Sequence, residues 1–185
     1  GFFAPEDKSQ FWITGDLSRR LVHKWRSEED AVLIGKHTAI ADNPQLNVRN
    51  WQGRSPKRVV IDRKLELSPQ LNVYDQCVET LVFNEVKTDV DGKIKYIALE
   101  DFERFVPQYI LFQLYLQDIQ SVIIEGGAHT LNSFIDAGLW DEARIFTGKT
   151  VLGSGIKAPC ITGIAGEEHF SGADRLKLLF NKPAN

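Results

Sequence analysis

The sequence has no methionine and only two cysteines, Cys77 and Cys160. They stand far apart without C-x-x-C spacing, so a disulfide framework or a zinc site has no support. Two isolated thiols are expected to be buried and free, in keeping with a reducing cytosol. No apolar run approaches the length of a membrane span. The start, Gly1-Phe2-Phe3-Ala4-Pro5-Glu6-Asp7, lacks the basic and apolar segments of a signal peptide. A cytoplasmic location is therefore expected. Neither sign of charge is in excess: 22 Lys and Arg against 25 Asp and Glu give a net charge of −3, so nothing draws the chain to nucleic acid or an anionic membrane. The four histidines, His23, His37, His129 and His169, form no HExxH pair or other metal spacing. Each is read as exposed or helix-capping, and no metal is expected. There is no G-x-S-x-G elbow and no cysteine in a nucleophile context. The missing methionine reads as a chain that starts inside a longer gene product.

What is present suits one globular domain. The chain has 185 residues, of which 43% are hydrophobic, enough for a sizeable core. Leu17, Leu21, Val22 and Trp25 recur at helical spacing and predict a helix over 16–26. Apolar runs predict strands at 31–35, 57–62, 80–84, 95–99 and 121–124. Helices are expected at 37–41, 102–116 and 128–137. Residues 142–151 and 167–180 read as late strands, antiparallel at the sheet edge. Strands alternating with helices predict an α/β fold with a mainly parallel sheet covered on both faces. Ligands of such sheets bind beyond the carboxyl ends of the strands.

Two stretches lie where that rule points. In Val122-Ile123-Ile124-Glu125-Gly126-Gly127-Ala128-His129-Thr130-Leu131 a strand ends in a carboxylate, two glycines follow, and a helix begins. Glycine lets backbone approach a ligand closely, and a helix N-terminus suits phosphate. In Ala31 to Arg49 a strand ends at Gly35, a short helix carries Thr38, and Asp42 and a turn precede Arg49. Thr38 can hydrogen-bond a cofactor amide or phosphate, and Arg49 can bind phosphate or carboxylate bidentately. A capped helix followed by a surface arginine is the plainer account of this second stretch. Arg26 is either a solvated partner for the acids at 28–30 or a second arginine for a phosphorylated substrate. Trp12 opens the first helix as a core aromatic or a stacking face, and Thr14 or Asp16 serves as its N-cap. Gly148-Lys149-Thr150 imitates a P-loop but lacks the earlier glycine and the following helix.

Phe11-Trp12-Ile13-Thr14, Arg26-Ser27-Glu28-Glu29-Asp30-Ala31, Ala41-Asp42-Asn43-Pro44 through Arg49, Val60-Ile61-Asp62, Glu125-Gly126-Gly127 and Leu139-Trp140-Asp141-Glu142 occur in that order. Together they resemble the reductase domain of the bacterial riboflavin-biosynthesis deaminase–reductases of the RibD type, over nearly the whole chain. The resemblance implies a dihydrofolate-reductase-like fold with antiparallel C-terminal strands, and NADPH as hydride donor. The implied substrate is 5-amino-6-(5-phosphoribosylamino)uracil, whose ribosyl group becomes ribityl. A non-catalytic nucleotide-binding or assembly module, and a reductase acting on the still-aminated pyrimidine, are the competing readings.

Carried onto this chain, the resemblance implies cofactor contacts at Trp12, Thr38, Asp42 and the run Gly126, Gly127, Ala128, His129, Thr130, Leu131 and Asn132. It implies substrate contacts at Arg26, Leu46, Arg49 and Glu125, with Glu125 also the catalytic candidate. A further cofactor contact falls at Arg63. Gln10 stands where some members have a substrate-binding serine, with Ser9 one place before it. The first strand of the family would precede Gly1 and is expected to be missing from the sheet. The deaminase signature, HxE followed by PCxxC, is absent, which implies a deaminase domain elsewhere on the full-length chain. A homodimer is implied as well.

Overall fold

The computed structural model describes residues 1–5 and 12–182. The elements run β1 (Phe2–Ala4), α1 (Asp16–Glu28), β2 (Ala31–Gly35), α2 (Lys36–Asp42), β3 (Lys57–Ile61), β4 (Thr80–Asn84), β5 (Asp89–Asp91), β6 (Ile94–Ala98), α3 (Val106–Leu116), β7 (Val122–Gly126), α4 (Ala128–Asp136), β8 (Glu142–Thr147), β9 (Ile156–Lys157), β10 (Ile164–Ser171) and β11 (Asp174–Phe180). A 3-10 turn spans Asn72–Tyr74.

Six strands form the central sheet in the order β5-β6-β4-β3-β2-β7. All its pairs are parallel except the edge pair β5–β6. The apolar runs explain this. Parallel strands are covered on both faces and need side chains that are apolar on both, and every residue of β2 is buried. Leu33, Val59, Leu81 and Phe83 pack toward Ile110 and Leu114 of α3 and Phe134 of α4. Val32, Ile34 and Val60 pack toward Ala39, Leu46, Leu67 and Val73 on the other face. Truncating one of these, as in Leu81→Ala, would cost about 2–5 kcal/mol.

A second sheet, β10-β11-β8, is antiparallel throughout. It covers α1: Trp25 stacks on Phe146 with ring centroids 5.5 Å apart, and the Arg144 guanidinium lies 4.7 Å from the Trp25 ring. Neither Thr14 nor Asp16 caps α1; Gly15 holds the N-cap position without a side-chain cap. The buried carboxylate of Asp174, at the start of β11, takes that role from afar. It accepts the Gly15 N–H at 2.7 Å and the Ser18 hydroxyl at 2.6 Å.

The structure departs from the sequence reading at several boundaries. The expected strand 167–180 is a hairpin, broken at Gly172, whose φ of +64° suits a residue without Cβ. The 102–116 helix starts only at Val106, because Asp101 turns the chain first by accepting the N–H groups of Glu103 and Arg104. The strand expected to reach Val151 ends at Thr147. β1, β5 and β9 are short strands without a strong apolar pattern. Both cysteines are exposed instead of buried, since Cys77 lies in the turn before β4 and Cys160 in the loop after β9. Gln10 and Ser9 lie outside the described residues.

Candidate active site

The central sheet changes direction between β2 and β7. From β2 the chain winds outward through β3, β4 and β6, then returns to place β7 on the other side of β2. Such a switch point leaves a crevice beyond the strand ends. β2 delivers α2, with Thr38 and Asp42; β7 delivers Glu125 and the glycine turn.

A cavity of about 550 Å³ fills this position. Its wall contains Trp12, Arg26, Thr38, Asp42, Leu46, Arg49 and Glu125, so seven of the side chains singled out in the sequence, from four separate segments, share one space. Gly126 through Asn132 do not line it. They form the strand end and the opening of α4 beside it. Trp12 precedes α1 instead of opening it, and it is exposed, with the Arg19 guanidinium 4.7 Å from its ring. A larger, shallower cleft of about 880 Å³ adjoins, walled by Asp16, Arg19, Arg20, Trp51 and again Arg49. Arg49 thus stands between the two.

Glu125 owes its direction to a bulge. Leu33 of β2 pairs with Ile124, but the next residue, Ile34, pairs with Gly126. Glu125 is the extra residue, and a bulge re-aims the side chain it carries. Its carboxylate meets Arg26 in a bidentate pair: Nε donates to Oε1 at 2.6 Å and Nη2 to Oε2 at 2.5 Å. The pair is 10% and 18% exposed. Arg26 therefore turns away from the acids that follow it and faces the cavity. Arg49 is exposed, and its Nη1 donates to Asn47 Oδ1 at 3.1 Å. It is the more accessible of the two cations.

Asp42 is open to the cavity, yet the walls around it remove enough water to push its carboxyl above the usual range. His23 is buried within α1, against the expectation of an exposed or helix-capping residue. Burial first, then the charges of Arg26 and Arg49, hold its ring below the usual histidine range. His37, His129 and His169 are exposed. Arg63 is bound elsewhere, to Glu85 and Glu103 at 2.6 Å each.

The glycine turn is packed to the limit. A Cβ on Gly126 would lie 2.9 Å from Thr38 Cγ2, and one on Gly127 3.1 Å from Thr38 Oγ1. A Cβ on Gly35 would collide with Thr130 Oγ1. Two strand ends and two helix starts close here with only hydrogen between them. Among the described residues no side chain caps the start of α4, so its first N–H groups are available to an anion.

Sequence reasoning gave His23, Asn47 and Asn72 no part in the site. The backbone carbonyl of Asn47 accepts from both His23 and Arg26. Asn72 joins the cavity wall through two hydrogen bonds to Asn43: its N–H donates to Asn43 Oδ1 at 2.8 Å and its Nδ2 to the Asn43 carbonyl at 2.6 Å. No local motif marks a contact across 29 residues.

The family model for the RibD C-terminal domain matches residues 1–179. The riboflavin biosynthesis protein RibD of Corynebacterium ammoniagenes is 32% identical over 160 residues, 84% of this chain and 42% of that protein. A 2,5-diamino-6-ribosylamino-4(3H)-pyrimidinone 5′-phosphate reductase of Archaeoglobus fulgidus is 27% identical over 168 residues, covering 83% of this chain and 77% of its own length. Among solved structures, a Thermotoga maritima diaminohydroxyphosphoribosylaminopyrimidine deaminase/5-amino-6-(5-phosphoribosylamino)uracil reductase superposes with a TM-score of 0.85 at 30% identity, over 98% of this chain and 53% of that one. The chain spans less than half the length of the RibD relatives it matches.

Proposed function

We propose a function that proceeds from one premise: the chain belongs to the RibD C-terminal domain family. On that premise it is a reductase of riboflavin biosynthesis, reducing the ribosyl group of 5-amino-6-(5-phosphoribosylamino)uracil to ribityl with NADPH. The observation that carries this reading is the convergence of Trp12, Arg26, Thr38, Asp42, Leu46, Arg49 and Glu125 on one cavity at the switch point of the sheet.

The residues present fit a dinucleotide. The Gly126-Gly127 turn has room for backbone and nothing more, and the uncapped start of α4 offers donors to a phosphate. Thr38 closes the same turn from the β2 side. Asp42 would hold a cofactor hydroxyl. When bound, the nicotinamide supplies the hydride that reduces C1′ of the ring-opened substrate.

The protein's own share is binding and orientation. Arg49 would hold the 5′-phosphate at the outer end of the cavity, with Arg26 behind it. Glu125, fixed by Arg26, would orient the ribose hydroxyls or the amine protons. Trp12 would cover the opening. The deaminase step would lie on another part of the full-length protein. A homodimer in the cytoplasm belongs to the same reading.

Full-length protein with NADPH and the deaminated substrate should oxidise the cofactor. Folded protein that binds NADPH and oxidises none would overturn the proposal. A second reading keeps the chemistry and changes the substrate to the still-aminated pyrimidine. The name of the Archaeoglobus relative favours it, and a panel offering both pyrimidines separates the two.

A further inference from the structure

His23 and Arg26 sit one turn apart on the inner face of α1, where residues three apart are neighbours. Both are buried. Both reach the same atom, the backbone carbonyl of Asn47: His23 Nδ1 at 3.0 Å and Arg26 Nη1 at 3.3 Å. A carbonyl carries no proton, so the histidine nitrogen must be the donor. That places a proton on Nδ1, and burial, which disfavours the charged ring, leaves the neutral Nδ1–H tautomer.

The segment they hold needs holding. Residues 43–49 contain neither helix nor strand. Leu46 within it is fully buried with φ +51°. A leucine persists in that conformation only when its surroundings impose it. Asn43 is tied to Asn72 at one end, and the Val48 N–H donates to Ser55 Oγ at 3.1 Å near the other. Between these ties, among the described residues, the hydrogen bonds from α1 to the segment all end on the Asn47 carbonyl. The charges that act on the ring are those of Arg26, Arg49 and Glu125. A neutral ring donates here without adding a third positive charge beside the two arginines. A lysine or arginine at position 23 could not do that.

We propose that His23 is a positioning residue for the phosphorylated substrate: through the Asn47 carbonyl it sets the segment that presents Leu46 and Arg49 to the cavity. This rests on the reductase reading above. His23 itself does not line the cavity, so its effect passes through the segment.

Two measurements test it, one of them independent of activity. In the wild-type protein, nitrogen-resolved NMR of the histidine rings should show His23 as the neutral Nδ1–H tautomer. The Nε2–H tautomer would overturn the proposal. In steady-state kinetics, H23F fills the space without a donor, whereas H23N can place its amide N–H near the Nδ1 position. H23F should raise KM for the phosphoribosylaminopyrimidine about tenfold, the order of one buried hydrogen bond lost, with kcat and NADPH affinity within about threefold. H23N should recover most of that loss. Equal KM in H23F and wild type, or equal loss in H23F and H23N, refutes positioning through the hydrogen bond. If H23F does not fold, H23Q replaces it, because its amide extends toward the Nε2 side and should not rescue. A wild type that binds NADPH and never turns over sinks the reductase reading, and the tautomer result still decides the His23–Asn47 contact.

Discussion

Glu125→Gln keeps the size of the side chain and removes its charge. In the native protein that charge meets two nitrogens of Arg26, at 2.6 and 2.5 Å, with the side chains 10% and 18% exposed. With charge centres ~4 Å apart and an effective dielectric constant near 20, the attraction is about 4 kcal/mol. Desolvating both groups cancels part of it, and cavity water screens more. The expected net coupling is about 2 kcal/mol. That lies above the roughly 1 kcal/mol ceiling of exposed pairs and below the ~3–5 kcal/mol lost on breaking a fully buried one. A double-mutant cycle of Glu125→Gln and Arg26→Gln, read by urea denaturation, isolates this number. At roughly 2–4 °C per kcal/mol for a chain of this size, the single substitution should lower Tm by about 4–8 °C. A coupling below roughly 0.5 kcal/mol would mean that the pair behaves as a surface contact and that Arg26 has no built site around it.

The same substitution carries a functional test. Without the carboxylate, the Arg26 cation seeks another anion. Inorganic phosphate should therefore raise the Tm of the Glu125→Gln protein more than that of wild type. Equal gains would show that Glu125 and phosphate do not share Arg26. Reduction should suffer far more than NADPH affinity; equal losses would place Glu125 on the cofactor side.

Gly126→Ala puts a methyl group 2.9 Å from Thr38 Cγ2. The turn must open, and NADPH affinity should fall at least tenfold by fluorescence titration; unchanged affinity would clear the turn of any part in cofactor binding. Asp42→Asn has opposite effects on stability and binding. The Asp42 carboxyl is pushed above its ordinary 3.8 by partial burial, so ionisation opposes folding as pH rises through the folded value. The Asn variant should be the more stable at neutral pH, with that advantage vanishing below pH 3.8, while its NADPH affinity falls; a Tm difference independent of pH contradicts this. Arg58 is a fully buried cation whose Nη1 donates to Asp75 Oδ1 at 2.6 Å and to the Asn72 carbonyl at 2.9 Å. Arg58→Met should cost about 2–3 kcal/mol, less than a fully buried pair because Asp75 can reach water. Arg58 also holds the Asp75 carboxyl below its ordinary 3.8. That contribution is present above pH 3.8 and lost as pH falls through the lower folded value, so the two proteins should converge in acid.

Sequence reasoning worked where one local rule decided the outcome. The apolar runs of β2, β3, β4 and β7 suit a covered parallel sheet, and the glycine turn after β7 suits the start of a helix. It failed where a distant group decided. The cap of α1 comes from Asp174, 159 residues from Gly15, so inspecting Thr14 and Asp16 could not reveal it. Arg26 was balanced between nearby acids and a ligand. Glu125, 99 residues on, resolved that balance by a bulge that no composition announces. His23 was read as exposed or helix-capping because a lone histidine usually is, and its partner, the carbonyl of Asn47, lies 24 residues away. The boundary between success and failure is therefore physical. Burial patterns repeat along the chain and can be read from it. The directions of the charged and polar side chains around the cavity are set by contacts across the fold, and those appear only once β2, β7 and α1 are assembled.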